Sequence, residues 1–193
     1  MSLKIHYRVR QEKSTMKLFH ALLLSIALPW LGGCESVWTP QPLGDEAVVL
    51  DETWSGSWLV GEGVVHTVVL DAAQGRLQLA WVEPEEHGAA LESLTGTVRS
   101  GAGQTFFNVL DEETENGYHW AVVDHRPERI LIWYPDPEAF VAAVTEGRLP
   151  GRVVEGSVVL GELDPNQLGL LGKPDSALLK WREPLVMVRF GPD

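Results

Sequence analysis

The chain has 193 residues and carries 15 Lys and Arg against 27 Asp and Glu, a formal net charge of −12. That field repels phosphate backbones and anionic surfaces, which excludes nucleic acid as an expected partner. With Cys34 as its one cysteine the chain can form no internal disulfide, so the fold must stand on its core.

Lys4, Arg8, Arg10, Lys13 and Lys17 precede an apolar stretch from Leu18 to Leu31 that is broken by His20, Ser25 and Pro29. As a helix this stretch spans roughly 21 Å, short of the roughly 30 Å hydrocarbon core of a bilayer. That length fits a cleaved signal segment better than a membrane span. Met16-Lys17 supplies a second plausible start, with residues 1–15 then upstream of it or forming a long n-region.

Leu31-Gly32-Gly33-Cys34 closes the apolar stretch. The tetrapeptide resembles the lipobox of bacterial lipoproteins. The resemblance implies cleavage before Cys34, a diacylglycerol on its sulfur and an acyl chain such as palmitate on its new amino group. No other cofactor is expected. Several acyl chains anchor stably where one does not, so the implied partner is the membrane, reached through lipid. Residue 35 is Glu rather than the Asp that retains related lipoproteins at the inner membrane. The resemblance therefore implies a cell-envelope address, on the periplasmic face of the outer membrane. Residues 34–193 hold 26 acidic and 10 basic side chains, a net −16, which favours solubility beside a negative surface.

The expected organisation is a signal peptide over 1–33, a lipidated cysteine and tether over 34–50, and one β-rich domain over 51–193. Pro40, Pro42 and Gly44 with no clear period support the tether. Short apolar runs then alternate with turn clusters. They predict strands over Ser57–Val60, Val64–Leu70, Arg76–Glu83, Leu94–Ser100, Thr105–Leu110, Tyr118–Asp124, Arg129–Tyr134, Val153–Val154, Ser157–Glu162 and Leu185–Phe190. One helix is expected, with Asp136 as N-cap, Pro137 at its first position and a stop at Gly147; Phe140, Val141 and Val144 would form its buried stripe. Asp164-Pro165 opens a second helical turn toward Leu171. The fold class is therefore mainly β: an antiparallel β-barrel or sandwich of about 8–10 strands with one or two short helices, α+β being the alternative.

A shift of 53 residues sets His66 on His119, Asp71 on Asp124, Arg76 on Arg129 and Pro84-Glu85 on Pro137-Glu138. Two extra residues in the second copy then set Leu94, Gly96, Val98 and Gly101 on Leu149, Gly151, Val153 and Gly156, and removing two restores the shift at Leu110-Asp111 on Leu163-Asp164. Two pseudo-repeats would make a pseudo-symmetric eight-stranded body to which Leu185–Phe190 is added. Shared hairpin chemistry produces the same matches without duplication.

His66 and His119 alternate with apolar residues and are expected to face an interior. Two inward imidazoles are candidate ligands for a metal, although no spacing such as HxxxH supports one and a histidine bonded to a backbone carbonyl is commoner. Asp124-His125 sets an acid beside a candidate general base, but neighbours on a strand point to opposite faces. Asp111–Gly117 gathers four acids, which reads as a solvated hairpin loop before it reads as a cation site.

Trp54-Ser55-Gly56-Ser57-Trp58 opens the domain. A glycine and tryptophan on the opening strand resembles lipocalin-like barrels, which implies that the tryptophan packs across the closed end. Together these features point to a membrane-anchored, non-catalytic binding or assembly module for an envelope partner or a small apolar ligand. The alternative is a periplasmic enzyme, metal-assisted through His66, His119 or His125. A roomy apolar cavity favours the ligand, converging His and carboxylates favour the enzyme, and a filled core under an exposed apolar patch favours assembly.

Overall fold

Every strand expected from alternation is present in the computed structural model, which describes residues 35–85, 88–111 and 117–191. The lipobox, Cys34 and most of the acidic loop at 112–116 lie outside the described residues. The strands run β1 (Val37–Thr39), β2 (Glu46–Ala47), β3 (Gly56–Val60), β4 (Gly63–Asp71), β5 (Arg76–Glu85), β6 (Gly88–Gly101), β7 (Gln104–Leu110), β8 (Tyr118–Arg126) and β9 (Arg129–Trp133). After helix α1 (Pro137–Thr145) come β10 (Gly151–Val154), β11 (Ser157–Leu160), helix α2 (Pro165–Leu171) and β12 (Leu185–Arg189).

Strands β3 to β9 follow one another as an antiparallel meander, and β12 closes the ring by pairing with both β9 and β3. Eight strands close the barrel. Its wall follows period two: Trp58 and Val60, Val65 and Thr67, Leu77, Leu79 and Trp81, and Ile130 and Ile132 turn inward. Strands β7 and β8 lose that alternation. Phe106 to Val109 and Trp120 to Val123 are buried without a break, because both of their faces are covered. Phe107, Val109, Ala121 and Val123 belong to the barrel interior, and Phe106, Trp120 and Val122 to a second core outside it.

That second core lies under α1, α2 and the β10–β11 hairpin. Asp136 occupies the N-cap of α1 without a capping side-chain bond, and Pro137 follows it. The buried residues of α1 are Phe140 and Ala143, while Val141 and Val144 pack at the margin. Asp164 caps α2 with a full capping box: its carboxylate accepts from the Asn166 and Gln167 amides while Gln167 Oε1 accepts from the Asp164 amide.

Two sequence expectations are corrected. Residues 35–50 are not a loose tether. Val37–Thr39 forms β1, which pairs in parallel with β11 and antiparallel with β8, and Leu43 and Leu50 are buried. Buried Asn108 fastens this segment, its Oδ1 accepting from the Leu43 amide at 2.7 Å and its Nδ2 donating to the Leu43 carbonyl at 3.1 Å. Gly117 admits β1 beside β8, since it has φ +121° and a Cβ there would stand 2.2 Å from the Thr39 carbonyl oxygen. Strand β8 serves two neighbours in turn, β1 at Tyr118 and His119 and β9 from Val122 onward.

The 53-residue shift does not become a symmetry of the fold. Pro84-Glu85 lies within β5, whereas Pro137-Glu138 opens α1. Strands β6 and β7 are barrel staves, whereas β10 and β11 form a hairpin outside the barrel. Tertiary packing places the two segments differently.

Candidate functional site

The closed end of the barrel is built around Trp54 and Trp58. Asp51 starts a single 3-10 turn, Glu52–Trp54, by accepting the Thr53 amide at 2.9 Å. The turn sets Trp54 under the barrel, where its ring stacks on His125 with centroids 4.0 Å apart. Trp58 is fully buried, and its Nε1 donates to Thr67 Oγ1 at 2.7 Å. Thr67 Oγ1 in turn donates to the Trp54 carbonyl at 2.5 Å, so this buried polar chain is satisfied. From the last strand Arg189 lays its guanidinium over the Trp58 ring, 4.3 Å from the centroid. The same group donates to the carbonyls of Thr53, Ser55 and Pro127. Strands β3, β8 and β12 are thereby locked to the turn that caps the barrel.

His125 Nε2 lies 3.1 Å from the Thr53 carbonyl and donates to it. Burial holds its pKa below the ordinary value, and Arg189 adds to that, while the Thr53 carbonyl and Asp51 work the other way. Trp54 covers one face of the ring, and Nε2 is committed to the Thr53 carbonyl.

At the other end of β8, His119 Nε2 stands 3.4 Å from Asp111 Oδ2, with Trp38 edge-on at 5.6 Å. Burial again lowers the imidazole pKa, opposed by the Asp111 carboxylate. His119 and His125, six residues apart on one strand, are separated by roughly 20 Å. His66 is corrected: it points outward with Val68 and Leu70, is exposed, and shares a hydrogen bond of 2.9 Å with Ser57 Oγ. Its inward neighbours on β4 are Val65 and Thr67, so the interior takes the other parity of that strand. The three histidines do not converge. Among the described residues no three His, Cys, Asp or Glu side chains are gathered as a metal site.

Among the described residues the barrel interior is densely packed by apolar side chains. It holds voids of about 20 Å³, one lined by Trp54, Thr67 and Phe107 and another by Val60, Leu94 and Tyr134. Each is the size of a single water, far below the roughly 300 Å³ of a small-molecule pocket. Burial pushes the Tyr134 phenol well above its ordinary value, so it is neutral beside its void.

The outer wall away from the helices is different. Val188 pairs with Leu59, Leu59 with Val64, and Val82 with Leu91. Val65 pairs with Trp81, so Val64 and Val82 lie side by side on the outer face. An apolar row therefore crosses β12, β3, β4, β5 and β6, flanked by Val186 and Val68, with Leu91 as much as 77% exposed. Sequence alternation contained this row, but alternation does not say which parity faces water when both are apolar. Arg189 was missed as well; its only signal was one cation at the end of an apolar strand.

Comparison with protein-family models, with curated proteins and with solved structures finds no match. No helix among the described residues is long and apolar enough to cross a membrane.

Proposed function

We propose that the chain is an envelope lipoprotein, anchored through acylated Cys34, whose barrel is a non-catalytic assembly module for an envelope protein partner. One observation carries the choice of a partner over a small apolar ligand: the described interior is densely packed, while an apolar row runs in register across five strands of the wall, exposed at Val188, Leu59, Val82 and Leu91 and half-buried at Val64. Exposed apolar surface that is contiguous marks sites of association more often than scattered single residues do. The closed-end packing of Trp58 supports the likeness to lipocalin-like barrels, here with a packed interior in place of a ligand cavity. The outer-membrane, periplasm-facing address follows from the lipobox and Glu35.

Native mass spectrometry of the protein extracted gently from membranes tests this reading. The expected species is the acylated chain carrying a protein adduct, with the adduct lost in the Leu59→Glu/Val188→Glu variant. A small-molecule adduct that survives that double substitution refutes the assembly reading. A Cys34→Ala chain that stays in the membrane fraction refutes the anchor.

A further inference from the structure

The strongest unassigned feature is the β10–β11 hairpin beside the start of the described chain. Its tip is a two-residue turn with Glu155 at φ +50° and Gly156 at φ +84°. A Cβ built on Gly156 would stand 2.8 Å from a Glu35 carboxylate oxygen, so the Glu35 side chain lies over the tip. The next residue is tied to the same place: Ser36 donates its amide to Ser157 Oγ at 3.2 Å and accepts the Val158 amide at 2.8 Å. Cys34 is one peptide unit before Glu35, which puts its Cα within about 4 Å of the Glu35 Cα.

Strand β10 is the open edge of the sheet, and all four of its residues are exposed, Val153 and Val154 among them. Val153 pairs with Val158 and Val158 with Val37, so two strand spacings, roughly 10 Å, separate Val153 from the first strand after Cys34. An exposed apolar edge is ordinarily blunted or covered. The barrel geometry also gives this flank a direction. Strand β8, to which β1 and the hairpin are joined, is four strands from β4 either way around the ring. The hairpin and the exposed row centred on β3 to β5 therefore lie on opposite sides.

Resting on the lipidated Cys34 of the proposed function, we infer that the β10 edge, through Val153 and Val154, lies in the interfacial layer of the membrane that holds the anchor. The occupant is a lipid surface because the chain reaches its anchor at the hairpin tip, with no spacer to lift this flank clear. The acidic character of residues 34–193 favours zwitterionic lipid over anionic lipid. The opposite wall is then held outward, free for a partner.

The test uses the full acylated chain, in which the Cys34 sulfur is occupied and an added thiol is unique. Val153→Cys, Val154→Cys and, as the opposite-wall control, Val68→Cys are each labelled with an environment-sensitive fluorophore and reconstituted into phosphatidylcholine vesicles. Probes at 153 and 154 should shift to the blue and be quenched about twofold by lipids nitroxide-labelled near the headgroup, the depth reached by interfacial apolar groups. The probe at 68 should remain in water. Equal exposure at all three positions, on protein that floats with the vesicles, overturns the membrane contact. Shielding at 153 only in native membrane fragments overturns it too and assigns the edge to a protein. Protein that neither floats nor carries acyl mass shows instead that the anchor reading has failed, and the inference falls with it.

Discussion

Arg189→Ala is the most informative single substitution at the closed end. Its guanidinium covers Trp58 at 4.3 Å and donates to carbonyls from the opening turn and the β8–β9 turn. The bonds to Thr53 and Ser55 are half-buried and the bond to Pro127 is exposed. Two half-buried charge-assisted bonds at about 1 kcal/mol each, and about 1 kcal/mol from the ring, total about 3 kcal/mol. For a domain of this length that lowers Tm by about 6–12 °C. Thermal unfolding followed by circular dichroism and tryptophan fluorescence reads the loss. Arg189→Lys should recover less than half of it, because an ammonium cannot fork to three carbonyls. Pairing Arg189→Ala with Trp58→Phe in a double-mutant cycle should give a coupling of about 0.5–1 kcal/mol. A drop in Tm below about 2 °C, or no coupling to Trp58, would show that water replaces the guanidinium without loss and would refute the latch.

Phe140 is fully buried and meets the Trp120 edge at 5.7 Å, so Phe140→Ala should cost about 3–5 kcal/mol and loosen the helical layer, read as faster amide exchange in α1 and β11. Asn108→Ala leaves the Leu43 amide and carbonyl unpaired in a buried place; a loss of about 1–3 kcal/mol and new proteolysis near residues 40–50 are expected, and an unchanged cleavage pattern would argue against the staple. His119 and His125 are both held below their ordinary pKa, so the unfolded chain binds protons first as pH falls. Stability is therefore lost on acidification through the unfolded value of about 6.5, until the folded values are reached. Tm should fall between about pH 7.5 and 5.5, and a His119→Gln/His125→Gln chain should show a flatter profile; a Tm that rises over that window would contradict the sign.

Much of the wall was legible in the sequence because a strand declares itself locally. Val64–Leu70 and Arg76–Glu83 alternate on either side of the turn that closes at Gly75, so their extents in the fold, Gly63–Asp71 and Arg76–Glu85, differ by a residue or two. Pro137 and Gly147 likewise marked α1, and Asp164-Pro165 marked α2, because helix ends depend on nearby residues. Strand β1 was not legible: three residues before Pro40 carry no period, and they are strand because β8 and β11 offer both edges. The orientation of His66 was not legible because both faces of β4 carry valines, Val64 and Val68 on one and Val65 and Val69 on the other, and period two says only that they differ.

The sequence by itself determined the alternating strands, the two helices with their stops, the acidic surface, and the presence of Cys34 after an apolar stretch. Those are properties of residues within a turn or two of one another. Tertiary structure alone decided which strands close the ring, that β10 and β11 stand outside it, and that Arg189 reaches back across 131 residues of chain to cover Trp58. It also decided that the described interior is densely packed and that the histidines stand apart. The physical reason is that closure and burial depend on which distant surfaces meet, and no local period records that.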